Sequence, residues 1–115
     1  MAEPAIDLDR LDKLRTLVGA DAFGRLAENL VADLARRLER LAQLGAAADL
    51  AALEREAHTL KGTAGSYGLS GVSALAARLE AACAGGAPDA ATAALAALDA
   101  AIRASSDRLT ARFGR

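Results

Sequence analysis

The 115-residue sequence predicts an all-α protein, an up-down-up-down antiparallel four-helix bundle with a short additional N-terminal helix. Alanine and leucine supply most of the apolar content, which is 53% of the chain, and both are strong helix formers. Aromatic residues, which favour strands, make up only 3%. Apolar residues recur at spacings of three and four between glycine or proline breaks. A chain of this length suits one domain, which we assign to residues 1–115.

The first two helices are expected over residues 7–18 and 21–44. Leucines at spacings of three mark the first helix, and Gly19 follows it as a helix-ending residue. Asp21 then has the side chain of a typical N-cap for the second helix, and Gly45 follows its last turn. The inner face of the second helix consists of Phe23, Leu26, Leu30, Leu34, Leu38 and Leu41.

The remaining three helices are expected over residues 47–67, 71–84 and 88–112. Ser70 is the expected N-cap of the fourth helix, and Pro88 suits the first turn of the fifth. Because the connections are short, consecutive helices should run antiparallel. The inward residues are Leu50, Leu53, Ala57, Leu60, Ala64 and Tyr67 in the third helix, Val72, Leu75, Leu79 and Cys83 in the fourth, and Leu95, Leu98, Ile102 and Leu109 in the fifth.

Composition and charge argue against several classes of function. A net charge of −1, from 14 basic and 15 acidic residues, argues against a nucleic-acid-binding protein, which needs a basic surface. No segment predicts a membrane span, and the acidic residues among the first ten argue against a secretory signal. The only cysteine, Cys83, cannot form an internal disulfide. We therefore expect a cytoplasmic protein. Because the apolar faces are used internally we expect a monomer, and the alternative is pairing through the alanine-rich fifth helix.

His58, the only histidine, lies in the third helix directly after Ala57, a residue of the inner face. Because a helix turns by about 100° per residue, the histidine should lie on the flank of the bundle. Lys61, Gly62 and Gly65 follow on roughly the same side of the helix. A glycine within a helix costs about 1 kcal/mol relative to alanine. Two glycines beside a histidine therefore indicate a surface that a partner approaches closely.

This combination of residues suits phosphoryl transfer to an imidazole nitrogen. A neutral imidazole is a nucleophile near physiological pH when one ring nitrogen is exposed and unprotonated. Lys61 can supply positive charge to the phosphoryl oxygens. Gly62 and Gly65 leave room for another protein to deliver the group in line.

The string His58–Gly68, which reads HTLKGTAGSYG, resembles the signature of histidine-containing phosphotransfer (HPt) domains of two-component phosphorelays. That signature is roughly His-x-Leu-Lys-Gly, small residues, and a glycine ten positions after the histidine. The segment Leu75–Glu80, which reads LAARLE, also resembles the next helix of the family. Length, helix order and loop placement agree more loosely over the whole chain.

The resemblance implies a role for each residue that matches the motif. His58 is expected to be the phosphorylated residue, Lys61 to contact the phosphoryl oxygens, and Gly62 to admit the active site of the partner. Glu80 occupies the place of a family residue that accepts a hydrogen bond from the imidazole Nδ1 and leaves Nε2 as the nucleophile. Otherwise Glu80 is an exposed neighbour of Arg78 with no fixed role.

The family's activity further implies a phosphocarrier without turnover of its own, with no ATP-binding or kinase domain. A response-regulator receiver domain or a hybrid histidine kinase would supply the phosphoryl group, and a second receiver would take it. No cofactor or metal is expected in this chain, because the receiver would hold the Mg²⁺. Leu8, Leu11 and Phe23 are the candidates for receiver docking, unless they belong to the core. Arg55 and Arg78 either add positive charge at the site or are solvated surface residues.

Four other functions compete with this interpretation. A helical scaffold or dimerisation bundle with an incidental His58 explains the inner faces but not the glycines beside the histidine. One histidine and one cysteine are too few ligands for a closed zinc site. A hydrolase would need a nucleophile in an organised triad, which neither Thr59 nor Ser66 indicates. The last alternative is a phosphate sink that has lost receiver docking.

Overall fold

The computed structural model describes residues 3–114 and contains five α-helices within that range. They are α1 (Leu8–Val18), α2 (Ala20–Ala46), α3 (Leu50–Ser66), α4 (Ser70–Ala84) and α5 (Pro88–Phe113). The all-α prediction is confirmed, since no described residue lies in a strand. Residues 1, 2 and 115, which the predicted domain 1–115 includes, lie outside the described residues.

The four long helices pack in a closed ring. α3 packs most extensively on α4, α4 packs on α5, α5 on α2, and α2 on α3, while α1 packs on α2. The molecule is elongated, measuring 44 × 23 × 22 Å. Leucine and alanine side chains form a continuous core, in which Leu34, Leu60, Leu79, Leu98 and Ile102 are fully excluded from solvent. Within residues 3–114, no helix combines the length and the apolar character that crossing a membrane requires.

The N-terminal ends of α2 and α3 differ from the sequence prediction. α2 uses Gly19 as its N-cap, so Asp21 lies inside the first turn and is not the cap. α3 begins at Leu50, three residues later than expected. The Asp49 carboxylate caps it by accepting a hydrogen bond of 3.0 Å from the Ala52 N–H.

The predicted N-cap of α4 is also wrong, because Ser70 is the first helical residue and Leu69 is the cap. The Ser70 hydroxyl and the Gly71 N–H both donate to the Ala5 carbonyl of the N-terminal segment. Gly71 is needed for this contact, since an ideal Cβ there would lie 2.7 Å from the Ala5 nitrogen. The Ser70 hydroxyl, which the local sequence predicts to cap α4, is therefore used in a long-range contact with the N-terminal segment.

Two of the three residues considered for receiver docking are core residues. Leu11 and Phe23 are each only 2% exposed, and Leu8 is half-buried. The Phe23 ring packs edge-on against the Phe113 ring, with centroids 4.8 Å apart, and so joins α2 to the last turn of α5. The docking assignment of Leu11 and Phe23 is therefore wrong. The large apolar side chains that α1 does expose are Leu17, at 82%, and Val18, at 44%.

Candidate functional site

Three buried residues set the rotation of α3 about its axis. Ala57, Leu60 and Ala64 expose no surface. Because each residue advances the helix by about 100°, His58 faces outward, and 68% of its side chain is exposed. The imidazole thus lies on the flank of the bundle, as the spacing of the apolar residues predicts.

Glu80 of α4 contacts His58 and Lys61, the two polar residues of α3 in the predicted phosphotransfer site. Its Oε2 lies 2.6 Å from His58 Nδ1, and its Oε1 accepts a hydrogen bond of 2.7 Å from Lys61 Nζ. The Glu80 side chain is 22% exposed and that of Lys61 is 39% exposed. The packing of α3 on α4 therefore brings together three side chains that are up to 22 residues apart in the sequence.

The contact with Glu80 selects one tautomer of the imidazole. The Lys61 ammonium, and after it the hydrogen bond from His58, hold the pKa of the Glu80 carboxyl below its usual value, although desolvation opposes them. An ionised carboxylate only accepts hydrogen bonds, so the 2.6 Å contact requires a proton on Nδ1. In the neutral ring, Nε2 then carries no proton and keeps its lone pair.

The two glycines near His58 have different surroundings. A Cβ on Gly62 would meet no described atom within 4 Å beyond its own helix backbone, so the surface there is open. A Cβ on Gly65 would lie 3.6 Å from the Ser73 hydroxyl of α4. The Gly65 carbonyl also accepts a hydrogen bond of 3.3 Å from Arg10 of α1. Gly62 thus leaves space beside the imidazole, whereas Gly65 lies where α1 and α4 meet α3.

The two arginines considered as additional cations differ in position. Both are exposed. Arg78 precedes Glu80 by two residues, about 200° around α4, and therefore lies on the opposite side of that helix. Arg55 precedes His58 by three residues and is therefore its neighbour on the same face of α3. Of the two, only Arg55 is placed on the side of the bundle that carries the imidazole.

Neither metal ligands nor a reactive thiol accompany this site in the described part of the chain. Residues 3–114 contain no group of three or more His, Cys, Asp or Glu side chains that could hold a metal ion. Cys83 is a free cysteine inside the bundle, as the sequence predicts. Burial, with a smaller contribution from the Glu54 charge, raises the pKa of this thiol, which therefore stays protonated at neutral pH.

A family model described as the Hpt domain matches residues 25–108. The match extends from the first turns of α2 through most of α5, and so covers most of the chain. It includes His58, Lys61, Glu80 and both glycines of the site. No significant match was found among curated proteins or among solved structures.

Proposed function

Because the chain belongs to the Hpt domain family, we propose that His58 accepts a phosphoryl group from the aspartyl phosphate of a receiver domain and passes it to another receiver. Hpt domains are histidine phosphotransfer modules of two-component phosphorelays, and they carry the phosphoryl group without catalytic activity of their own. Beyond the general role of the family, we propose the class of the donor and of the acceptor and the residues that act.

The observation that carries this proposal is an exposed imidazole whose Nδ1 is already occupied. His58 exposes 68% of its side chain, and its Nδ1 lies 2.6 Å from a Glu80 carboxylate oxygen. In the neutral ring, the nitrogen that remains available, Nε2, is the one without a proton. A nucleophile held in its reactive tautomer by a carboxylate suits group transfer at neutral pH.

In the proposed step, the Nε2 lone pair attacks phosphorus, and a P–N bond forms as the P–O bond to the aspartate breaks. The electrons of that P–O bond leave with the aspartate carboxylate, and the Nδ1 proton remains on the ring. The ring gains positive charge as the new bond forms, and the Glu80 carboxylate stabilises that charge through the Nδ1 contact. Transfer to the second receiver reverses these changes on a new aspartate.

Lys61 and the glycines would serve the incoming group and its carrier. The phosphoryl oxygens carry negative charge in the loose transition state, and the Lys61 ammonium, 2.7 Å from Glu80, is the cation next to the imidazole. Gly62 leaves the helix surface open for the partner, and Gly65 borders that space. We assign Lys61 to the phosphoryl oxygens and both glycines to the docking surface.

Receiver domains or kinases of two-component systems are the partners that the family indicates. We propose that the receiver holds the Mg²⁺ and that this chain itself needs no cofactor. We also propose that the chain acts as a cytoplasmic monomer and does not bind nucleic acid. The closed ring of α2 to α5 and the short connections between them support the up-down-up-down antiparallel topology.

Incubation of the purified protein with a phosphorylated receiver and Mg²⁺ tests the proposal. We expect a protein-bound label that is lost in acid and stable in base, because the bond is a phosphoramidate. His58→Gln changes an exposed side chain and should fold normally without accepting label. The absence of label on the wild type with several receivers, or equal labelling of His58→Gln, contradicts the assignment.

A further inference from the structure

The Ser73 hydroxyl makes its hydrogen bond from one helix to another. Serine and threonine side chains inside helices often bond the carbonyl four residues earlier in the same helix. The Ser73 hydroxyl instead leaves α4 and donates to the Lys61 carbonyl of α3 at 2.9 Å. The hydroxyls that follow the usual pattern are those of Thr16, Thr59, Ser66 and Thr92.

Ser73 and Glu80 together hold Lys61 at both ends. Ser73 bonds the backbone carbonyl of Lys61, and Glu80 accepts the hydrogen bond of its ammonium. The two α4 residues are seven positions apart, which is about two helical turns, so they lie on the same side of α4. Lys61 is therefore attached to α4 at two levels, once through its backbone and once through its charge.

Gly65 lies at the turn of α3 that faces Ser73 of α4. In a regular helix the Lys61 carbonyl already accepts from the N–H of residue 65, and its second lone pair is available to Ser73. A Cβ on Gly65 would lie 3.6 Å from the Ser73 hydroxyl, an ordinary van der Waals distance, so Ser73 packs directly against this turn. At this turn, α4 is thus joined to α3 by the hydrogen bond from the Ser73 hydroxyl to the Lys61 carbonyl.

We propose that Ser73 is a positioning residue. It fixes the position of α3 along the axis of α4, so that one Glu80 carboxylate contacts both His58 and Lys61. Without the hydroxyl, α3 can shift along α4 and weaken the Nδ1 contact. A larger share of the imidazole then carries its proton on Nε2 and has no lone pair there for attack. The effect on transfer rests on the proposed function, whereas the effect on the tautomer does not.

Ser73→Ala tests this role, because it removes the hydroxyl and keeps a strong helix former. Ser66→Ala is the matched control, since the Ser66 hydroxyl bonds the Gly62 carbonyl within α3 alone. Nitrogen NMR of the imidazole measures the tautomer populations in the unphosphorylated protein, and phosphotransfer from a receiver measures the rate constant. We expect Ser73→Ala to raise the Nε2–H population and to slow transfer about fivefold, the equivalent of one ordinary hydrogen bond.

Ser66→Ala should change neither quantity, and Ser73→Thr, which keeps the hydroxyl, should retain wild-type values. Unchanged tautomer populations in Ser73→Ala, or equal changes in Ser66→Ala, overturn the positioning role and leave the proposed function standing. If the wild type accepts no phosphoryl group, the proposed function fails, and the NMR populations still decide the role of Ser73. If Ser73→Ala does not fold, Ser73→Cys gives the same comparison with a weaker donor.

Discussion

The helix pair α3–α4 and the helix pair α2–α5 are joined by different chemistry. Between α3 and α4, Glu80 contacts two polar residues of the facing helix, and Ser73 donates to the Lys61 carbonyl. Between α2 and α5, the rings of Phe23 and Phe113 pack edge-on. One pair therefore holds an exposed reactive group in place with polar contacts, and the other contributes apolar burial.

Two serines illustrate this difference. Ser73 is half-buried, and its hydroxyl joins α4 to α3. Ser105 of α5 is fully buried, and its hydroxyl has no hydrogen-bond partner within the described part of the chain. Polar groups thus orient the site on one side of the bundle, whereas on the other side a polar group only weakens the core. Changes on the α3–α4 side should alter chemistry more than stability, and changes on the α2–α5 side should do the opposite.

Phe113→Ala should cause the largest loss of stability and leave the site chemistry unchanged. The Phe113 ring is 7% exposed and packs on Phe23, so its removal loses apolar burial and leaves a cavity. We expect the free energy of unfolding to fall by about 3 kcal/mol, measured by chemical denaturation. The rate constant for phosphotransfer to His58, measured where the variant is folded, should stay at the wild-type value. A slower reaction in the folded variant would mean that the two helix pairs are not independent.

Lys61→Ala should slow phosphotransfer and leave stability nearly unchanged, which is the reverse of the effect expected for Phe113→Ala. Loss of the ammonium removes the cation next to the imidazole, and we expect transfer to slow about ten- to a hundredfold. The free energy of unfolding should change by less than about 1 kcal/mol, because partly exposed ion pairs contribute little. Lys13→Ala, at the only other lysine and on the exposed surface of α1, is the matched control and should change neither quantity. Equal rates for the two variants would remove Lys61 from the site.

The spacing of apolar residues predicted the outward position of His58 because a helix has a fixed rotation per residue. Ala57 and Leu60 on the inner face determine the rotation of α3, and every other residue of that helix follows from it. The contact between Glu80 and His58 is different, because it depends on the axial position of α4 relative to α3. Helix periodicity does not determine that axial position, so only the family resemblance indicated Glu80.

Ser73 and Ser70 show what local sequence patterns do not contain. A serine in a helix normally bonds its own helix, and nothing in the neighbouring residues indicates that Ser73 bonds Lys61 instead. Ser70 has the side chain of an N-cap, but the Ala5 carbonyl, 65 residues away, accepts its hydrogen bond. Both contacts have one cause, since tertiary packing selects the partner of a side chain that has a choice of partners.

Ser105→Ala should stabilise the protein by about 1 kcal/mol. The buried hydroxyl loses its hydrogen bonds to water on folding and gains none, and alanine also has the higher helix propensity. The neighbouring Ser106 is only half-buried, so Ser106→Ala gains the propensity term alone and serves as the control. Thermal and chemical denaturation of the two variants measure the difference. A loss of stability in Ser105→Ala would show that the hydroxyl has a partner.

Gly62→Ala and Gly65→Ala should separate stability from function within α3. Each replaces a helical glycine by the best helix former, and each has room for a Cβ, so the free energy of unfolding should rise by up to about 1 kcal/mol. The Gly62 surface is open beside His58, so its new methyl group should obstruct the partner and slow transfer. The Gly65 methyl group would lie against Ser73 at the border of that surface, so it should slow transfer less. A wild-type transfer rate for Gly62→Ala would contradict the assignment of Gly62 to docking.

The pH dependence of stability should show the smallest effect, and it isolates the Glu80 contacts. Lys61 and then His58 lower the pKa of the Glu80 carboxyl in the folded protein. Its contribution to stability is therefore present above the ordinary carboxyl pKa and is lost as the pH falls through the lowered value. We expect the difference in Tm between wild type and Glu80→Gln to be largest at neutral pH and to vanish in acid, once the pH lies below the lowered pKa of Glu80. Glu39→Gln, on the exposed surface of α2, is the control, and its Tm should not converge with that of the wild type in this way. A difference in Tm for Glu80→Gln that persists in acid would mean that the charge of Glu80 does not hold α3 and α4 together.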